Sequence, residues 1–165
     1  METAILAAGC FWGVEEYFRK LPGVMETKTG YIGGKLKNPT YNQVCSGKTG
    51  HAEAIEVKFD PSKITFEKLL DVFFRLHDPT TLNRQGNDRG TQYRSAIFYT
   101  TIEQKERAEN FIHKVDSSGA WEDSVKTTIE PGINFYPAEE YHQKYLINNP
   151  GGYCNHRMRN LDFGK

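Results

Sequence analysis

The chain has 165 residues, 38% of them hydrophobic, which is enough to bury the core of one domain. Its 21 basic and 21 acidic residues cancel, and this balance argues against nucleic acid or an anionic membrane surface as a partner. No signal peptide or apolar stretch of membrane-spanning length is apparent, so we expect a soluble, cytoplasmic protein.

The first unit that the sequence predicts is a strand followed by a helix. Residues 3–8 are small and apolar, as in a buried strand, and they lead directly into Gly9-Cys10. A helical period of apolar residues follows over 14–21 and ends at Pro22-Gly23. Cys10 is therefore predicted to lie in a tight turn at the N-terminus of a helix.

The remaining elements alternate between strands and helices. Thr65 and Thr101 are predicted helix N-caps, and Pro137 is placed at a first helical position. The Gly, Asn and Pro residues near the C-terminus indicate an irregular, mobile tail. We predict strands at 24–31, 54–59, 95–99 and 125–129, helices at 66–77, 102–115 and 137–145, loops at 33–50 and 80–91, and the tail from about residue 147.

The order of these elements predicts the fold class. Strand, helix, strand, strand, helix, strand is the split βαβ pattern, so we expect an α+β protein built as a two-layer ferredoxin-like plait with added elements. No linker or internal repeat is apparent. Residues 1–165 are therefore expected to form a single domain with an irregular tail at about 147–165.

The cysteines indicate thiol chemistry rather than structural bridges. Cys10, Cys45 and Cys154 are too few and too far apart in sequence for a disulfide scaffold, and an odd count leaves at least one thiol unpaired. A cysteine at a helix N-terminus meets unsatisfied backbone N–H groups, which favour its thiolate. The alternative interpretation of Cys10 is a small buried core residue.

The residues around Cys10 are suited to a binding site. Gly9 and Gly13 allow close approach of a ligand to the backbone, and Phe11 and Trp12 offer a rigid apolar wall. Further segments rich in polar and aromatic residues follow at intervals along the chain. They are Tyr41–Cys45, Gly50–Glu53, His77–Thr80, Asn87–Ser95, Tyr141–Tyr145 and Asn149–Cys154.

Together with Gly9–Gly13, these segments resemble the motifs of the peptide methionine sulfoxide reductase A family, in the same order and over nearly the whole chain. The resemblance implies an oxidoreductase that reduces the S epimer of methionine sulfoxide, protein-bound or free, and so repairs oxidised proteins. It calls for no cofactor and no metal.

Sulfoxide chemistry requires an acid beside the thiol, because a sulfoxide sulfur is a poor electrophile until its oxygen is protonated or hydrogen-bonded. Glu53 is the acid that we select, because the resemblance assigns the proton to this glutamate. By residue type alone, a solvated carboxylate on a strand edge would be the expected role of Glu53. If it is buried near aromatic rings, its pKa rises and it stays protonated near neutral pH. His51 is the competing candidate, and the resemblance assigns it a supporting position instead.

The resemblance also implies the groups that bind the substrate. The hydroxyls of Tyr41 and Tyr93 are expected to contact the sulfoxide oxygen, with Asp88 as a further polar contact. Phe11 and Trp12 are suited to hold the terminal methyl of the methionine side chain.

A second thiol must reset the enzyme. Attack by Cys10 leaves a sulfenic acid, which another thiol condenses with to form a disulfide. Cys154 is the candidate, because its tail is expected to move without disturbing the core. The resemblance implies that thioredoxin then reduces the Cys10–Cys154 disulfide. The role of Cys45, either structural or as an alternative resolving thiol, stays open.

Three other functions compete with this interpretation. Cys45, His51, Cys154 and His156 could form a zinc site, but their spacing lacks the close pairs typical of structural zinc. A cysteine hydrolase would pair Cys10 with His51 as base and would need no Cys154. A plait that binds single-stranded RNA would require exposed aromatic residues beside basic ones, which the sequence does not suggest.

Overall fold

A six-stranded sheet is the base of the structure, a computed structural model that describes residues 1–164. The strands are β1 (Glu2–Ala8), β2 (Val24–Ile32), β3 (Ala52–Phe59), β4 (Arg84–Gln85), β5 (Asp88–Arg89), β6 (Ser95–Tyr99), β7 (Thr128–Pro131) and β8 (Tyr136–Pro137). The helices are α1 (Phe11–Arg19), α2 (Tyr41–Cys45), α3 (Phe66–Leu76), α4 (Ile102–Ser118) and α5 (Tyr145–Asn148), with 3₁₀ turns at Thr91–Tyr93 and Glu140–His142.

The strand order in the sheet is β7-β6-β1-β3-β2-β8. Strand β1 lies at the centre and pairs antiparallel with both β3 and β6, and β2 pairs antiparallel with β3 and β8. Only β6 and β7 pair in parallel among the strands of residues 1–164, while β4 and β5 form a separate hairpin. The predicted α+β class is therefore confirmed.

The two faces of β1 explain why its sequence is almost entirely apolar. Leu6 points toward a large core formed with α1, α3 and α4, while Ile5 points toward a smaller cluster on the opposite face, which includes Phe98. Because side chains alternate along a strand, a strand covered on both faces needs apolar residues at successive positions. This burial fixes the end of β1, and hence the position of the turn at Cys10.

The long helices begin where the sequence predicts. The hydroxyl of Thr65 accepts a hydrogen bond from the Lys68 N–H of α3, and Thr101 caps α4 in the same way at Gln104. The Gln104 side chain, however, accepts from the N–H of Thr100, one residue before the cap. The ring of Phe74 stacks on Phe111 at 5.6 Å between centroids, which joins the two helices.

Three predicted elements are wrong in type or position. The predicted loop 33–50 contains α2, whose Thr40–Gln43 capping box stabilises a helix of only five residues. The predicted loop 80–91 contains the β4–β5 hairpin, and the strand predicted at 125–129 starts at Thr128. Short elements carry too few periodic positions to be recognised from their sequence.

The helix predicted at 137–145 is also wrong. Pro137 lies in the edge strand β8 opposite Gly30, where its missing N–H costs nothing because the outer side of the strand is unpaired. A side chain on Gly30 would collide with the ring of Phe135 and with the backbone oxygen of Tyr136. The helical residues beyond this strand are divided between the 3₁₀ turn and α5.

The tail beyond α5 has no helix or strand up to Gly164, yet it is not loose. The backbone N–H of Arg159 donates to the Arg75 oxygen at 3.1 Å, and the His156 ring donates to the Ala8 oxygen at 2.6 Å. Phe163 is buried against Phe111. The mobility that we expected for this segment is therefore opposed by specific contacts. Within residues 1–164, no helix has the length and apolar character required to cross a bilayer.

A buried ion pair attaches the segment before α5 to α1. Glu15 is 1% exposed, and one of its oxygens accepts the backbone N–H of Lys144 at 2.7 Å. The other oxygen accepts the Lys144 ammonium and the Thr27 hydroxyl, each at 2.8 Å. This carboxylate holds Lys144 in a left-handed conformation, with φ of 52°.

We predict that Glu15→Gln lowers the free energy of unfolding by about 2 kcal/mol, because hydrogen bonds to a buried charge lose their ionic component. The matched control is Glu16→Gln, one residue away, which removes the partly exposed pairs with Arg19 and Lys20. That change is expected to cost less than about 1 kcal/mol. Urea unfolding measures both, and equal losses would contradict the role of Glu15.

Candidate active site

Cys10 lies at the N-cap of α1, in the turn that the sequence predicted. Gly9 makes this turn with φ of 93°, and a Cβ added there would lie 2.9 Å from the side chain of Gln85. Both the left-handed backbone and the close packing therefore require glycine at this position. The side chain of Cys10 is largely covered, with 7% exposed.

Burial decides the acidity of this thiol. Desolvation raises the pKa of Cys10 well above its ordinary range, and the charge of Glu53 raises it further. The backbone N–H of Trp12 acts in the opposite direction but is outweighed. In the protein without substrate, desolvation thus exceeds the stabilisation of the thiolate that we expected from the N–H groups of the helix N-terminus.

Glu53 is the buried acid of the site. It lies on β3 with 1% of its surface exposed, and its Oε1 accepts the backbone N–H of Phe11 at 3.2 Å. Its Oε2 is buried and has no hydrogen-bond partner in residues 1–164. Burial raises the pKa of Glu53 to about 8, with a smaller contribution from Asp88. Glu53 is thus mostly protonated at neutral pH, and it has one oxygen available to a ligand.

Two tyrosines and a cysteine lie close to this acid. Burial, and next the charge of Glu53, raise the pKa of the Tyr41 and Tyr93 hydroxyls. The thiol of Cys45 interacts with both hydroxyls, while burial raises its own pKa. The structure thus brings together Tyr41, Tyr93, Glu53 and Cys45, although the sequence left the last residue unassigned.

Trp12 forms the aromatic wall of the site. Its indole N–H donates to Nδ1 of His142 at 2.9 Å, and its ring stacks on Tyr145 at 3.8 Å with an angle of 8° between planes. Burial lowers the pKa of His142, so its ring stays neutral and able to accept. Trp12 is partly exposed, whereas Phe11 is enclosed by Tyr31 and other rings and lies behind the wall.

The partners of Trp12 were not assigned a role from the sequence. His142 and Tyr145 are about 130 residues from Trp12, and no local pattern connects them. Glu139 belongs to the same group, since its oxygens accept the Tyr31 hydroxyl at 2.8 Å and the Tyr41 N–H at 2.9 Å. The segment from Glu139 to Tyr145 therefore orients both Trp12 and Tyr41. The available signal was the polar and aromatic cluster Tyr141–Tyr145.

Asp88 connects the site to the tail. Its Oδ2 accepts the Tyr153 hydroxyl and the Asn155 amide, each at 3.1 Å. The charge of Asp88 also raises the pKa values of Cys10 and Glu53, although it is not the largest cause for either. Asp88 thus lies near the reactive groups, and its hydrogen bonds hold the tail segment on either side of Cys154.

Cys154 lies over the first turn of α1. Its sulfur is 2.8 Å from the position that a Cβ on Gly13 would occupy. Gly13 is three residues after the N-cap, and an N-cap side chain reaches toward that position. Cys154 is itself exposed, so a second thiol stands at the surface close to the buried Cys10.

His51 has no ring nitrogen free for catalysis. Its Nδ1 accepts the Gly34 N–H at 3.1 Å, and its Nε2 contacts the Leu36 oxygen at 2.7 Å, which requires the proton on Nε2. The ring thus fixes the loop after β2. The alternative hydrolase, in which His51 activates Cys10, finds no support in this geometry.

The zinc alternative also lacks its geometry. In residues 1–164, no group of three or more His, Cys, Asp or Glu side chains is close enough to hold a metal ion. Cys45 lies beside Tyr41 and Tyr93, while His156 and Cys154 both lie next to Gly13. What the arrangement offers is a largely buried thiol, a neutral carboxylic acid with one open oxygen, an aromatic wall and a second thiol.

Comparison with known proteins identifies relatives over almost the whole chain. A family model described as peptide methionine sulfoxide reductase matches residues 2–162. The chain is 56% identical over 153 residues to a peptide methionine sulfoxide reductase MsrA of Methanothermobacter thermautotrophicus, covering 93% of this chain and 90% of that one.

Solved structures agree with this match. Mxr1 from Saccharomyces cerevisiae in reduced form superposes with a TM-score of 0.91 at 41% identity, covering 96% of this chain and 92% of that one. Mxr1 in complex with Trx2 superposes with a TM-score of 0.60 at 28% identity, covering 96% and 90%. The structure is thus closer to the reduced form than to the complex.

We predict that an alkylating agent modifies the exposed Cys154 before the buried Cys10, because thiolate character and exposure set thiol reactivity.

Glu53→Gln should accelerate alkylation of Cys10 above pH 8, where Glu53 is ionised in the unmodified protein and holds the pKa of Cys10 high. Glutamine preserves the acceptor for the Phe11 N–H. Peptide mass mapping over time measures each rate, and an unchanged Cys10 rate would contradict the coupling.

Proposed function

Because the chain belongs to the peptide methionine sulfoxide reductase family, we propose that Cys10, Glu53 and Cys154 are the groups that carry out its reaction. The protein is an oxidoreductase that reduces methionine sulfoxide to methionine with thiols as reductant. The observation that supports the assignment of residues is the buried, unpaired Oε2 of Glu53 beside the Cys10 turn.

In the first half of the proposed reaction, both Cys10 and Glu53 begin protonated, in accord with their raised pKa values. Glu53 gives its proton to the sulfoxide oxygen as the Cys10 sulfur attacks the sulfoxide sulfur. The thiol proton passes to the Glu53 carboxylate, which restores the acid. The S–S bond formed in this attack and the S–O bond of the substrate then break as the hydroxyl group passes to the Cys10 sulfur. Cys10 is left as a sulfenic acid and methionine leaves, so the substrate sulfur gains the two electrons that the Cys10 sulfur loses.

The raised pKa of Cys10 fits this sequence of events. A thiol that is neutral before substrate binds is protected from random oxidation and alkylation, since the thiolate is the reactive form. Transfer of the Glu53 proton to the substrate creates a carboxylate beside the thiol, and this carboxylate is the base that the thiol needs. Glu53 thus activates the sulfoxide sulfur as an acid and the Cys10 thiol as a base.

The substrate is proposed to lie against Trp12 with its oxygen directed at Glu53, Tyr41 and Tyr93. Phe11 supports this wall from behind, and Asp88 adds a polar contact at the tail side of the site. Preference for the S epimer is part of the proposal and rests on the family resemblance. The half-buried position of both tyrosines near Glu53 supports the position of the oxygen.

In the second half of the reaction, the Cys154 thiol attacks the sulfur of the Cys10 sulfenic acid and water leaves. The resulting Cys10–Cys154 disulfide is then reduced by thioredoxin. The position of Cys154 over the first turn of α1 supports the first step, and the complex of yeast Mxr1 with Trx2 supports the second. Repair of oxidised proteins in the cytoplasm is the proposed role, since a reducing compartment maintains three free thiols.

We also propose that residues 1–165 form one domain of the ferredoxin-like plait type. The order β6-β1-β3-β2 and the antiparallel pairing of these four strands support this fold. The family match over residues 2–162 supports a single unit.

We predict three distinct outcomes when the cysteines are replaced one at a time and methionine is counted from a blocked methionine sulfoxide. Cys10→Ser forms no methionine, because the nucleophile is gone. Cys154→Ser forms one methionine per chain and then stops when thioredoxin is the reductant, because no disulfide forms. Cys45→Ser continues to turn over with thioredoxin. Rapid-quench chromatography measures the burst, and steady-state assays measure recycling.

Two results would overturn the proposal. Methionine formation by Cys10→Ser would remove the nucleophile from the mechanism. Undiminished thioredoxin-driven turnover by Cys154→Ser, together with its loss in Cys45→Ser, would transfer the resetting role to Cys45.

A further inference from the structure

His156 occupies a slot that two glycines create at the start of α1. Its Nε2 is 3.4 Å from the position that a Cβ on Gly9 would occupy, and its Nδ1 is 2.4 Å from the corresponding position on Gly13. Any side chain on Gly13 would displace this ring. The imidazole, with 6% of the residue exposed, therefore fills the angle between the end of β1 and the first turn of α1.

The hydrogen bonds of His156 fix its proton. Nε2 contacts the Ala8 backbone oxygen at 2.6 Å, and since a carbonyl only accepts, Nε2 carries the hydrogen. Nδ1 is then a lone-pair acceptor. It is buried, and no residue within 1–164 donates to it. An unpaired nitrogen in such a position is costly unless some step in the working cycle uses it.

The unpaired nitrogen lies close to the second thiol. Nδ1 and the Cys154 sulfur are 2.4 Å and 2.8 Å from the same point above Gly13, so they can be separated by no more than the sum, 5.2 Å. In this structure the thiol points to the His156 backbone oxygen at 3.8 Å instead. A rotation of the Cys154 side chain can therefore exchange one acceptor on His156 for the other.

We propose that His156 is a positioning residue of the resolving step, which holds Cys154 beside Cys10 and accepts the proton of its thiol. This proposal rests on the proposed function of Cys154. The Ala8 contact anchors the tail two residues before Cys10 in sequence, so the ring links the two thiol-bearing segments directly.

In this step His156 takes up one proton and releases it again. The Cys154 thiol gives its proton to Nδ1 as its sulfur forms a bond to the Cys10 sulfur. The S–O bond of the sulfenic acid breaks, and the departing hydroxide takes the proton from Nδ1 and leaves as water. Cys154 is oxidised, the sulfenic acid is reduced to the level of a disulfide, and the imidazole returns to its starting form.

The experiment separates the two halves of the cycle in one sample. The full-length protein is mixed with one equivalent of blocked methionine sulfoxide and quenched at intervals. Methionine reports the first half, and mass spectrometry of the alkylated chain reports the disulfide. His156→Ala removes the anchor and the acceptor. His156→Gln retains an N–H for the Ala8 oxygen but has no basic nitrogen at the place of Nδ1. The exposed His113, replaced by Gln, is the matched control.

We expect methionine to form at the normal rate in all three variants, while His156→Ala slows disulfide formation about a hundredfold through loss of positioning. His156→Gln should lie between His156→Ala and the unmodified protein, and His113→Gln should match the unmodified protein. Disulfide formation at the normal rate in His156→Ala would overturn the proposal, and so would an equal slowing of both halves, which would indicate a general structural role. A normal rate in His156→Gln would eliminate the proton-accepting function.

A parallel sample of Cys154→Ser distinguishes the failure of the proposed role of His156 from the failure of the proposed role of Cys154 as resolving thiol. If that variant still forms an intramolecular disulfide, Cys154 is not the resolving thiol and the proposed function fails at that step. If it forms none while His156→Ala behaves like the unmodified protein, the proposed function stands and the role of His156 is rejected.

Discussion

A carboxylic acid without full hydrogen bonding in the interior is the constraint on which the site depends. Glu53 has one oxygen paired with the Phe11 N–H and the other unpaired, and burial raises its pKa to about 8. Leaving a buried polar atom unsatisfied costs on the order of 1–3 kcal/mol. The fold tolerates that cost at a position where the oxygen of a bound ligand can pair with Oε2, and this is the atom that we propose as the proton donor.

The surrounding structure keeps this acid dry and in place. Strand β3 carries Glu53 in the interior of the sheet, and the strand before Cys10 is buried on both faces. The aromatic wall is held from the far end of the chain by His142 and Tyr145, which are themselves fixed through the Glu15–Lys144 pair. The tail contributes Cys154 and closes the other side through Asp88. Segments distant in sequence thus come together around Cys10, Cys154 and the carboxyl group of Glu53.

Local sequence patterns predicted the parts of the fold that they control. The apolar run before Cys10, the caps Thr65 and Thr101 and the Pro22-Gly23 stop all have local causes, and these elements agree with the structure. The helix expected after Pro137 does not, because edge-strand pairing with Gly30 is a long-range effect. The five-residue α2 is likewise stabilised by its capping box and its contacts rather than by a periodic pattern.

The site divides in the same way. The positions of Cys10 and of the glycines follow from the turn, but the sign of the Cys10 pKa shift does not, because desolvation depends on the packed structure. Glu53 was selected by family resemblance, and its burial emerges only from the sheet. The hydrogen bonds of Trp12 with His142 and of Asp88 with the tail join residues more than 60 positions apart, so no local sequence pattern predicts them.

The protonation state of Glu53 is measured directly by NMR titration of its side-chain carboxyl carbon, in protein labelled with ¹³C-glutamate. The Glu53 signal is assigned by its absence in Glu53→Gln. We expect a carboxylic acid at neutral pH that ionises at a pH of about 8. A signal that is already a carboxylate at pH 7, with its midpoint near the ordinary value of 4.5, would contradict it.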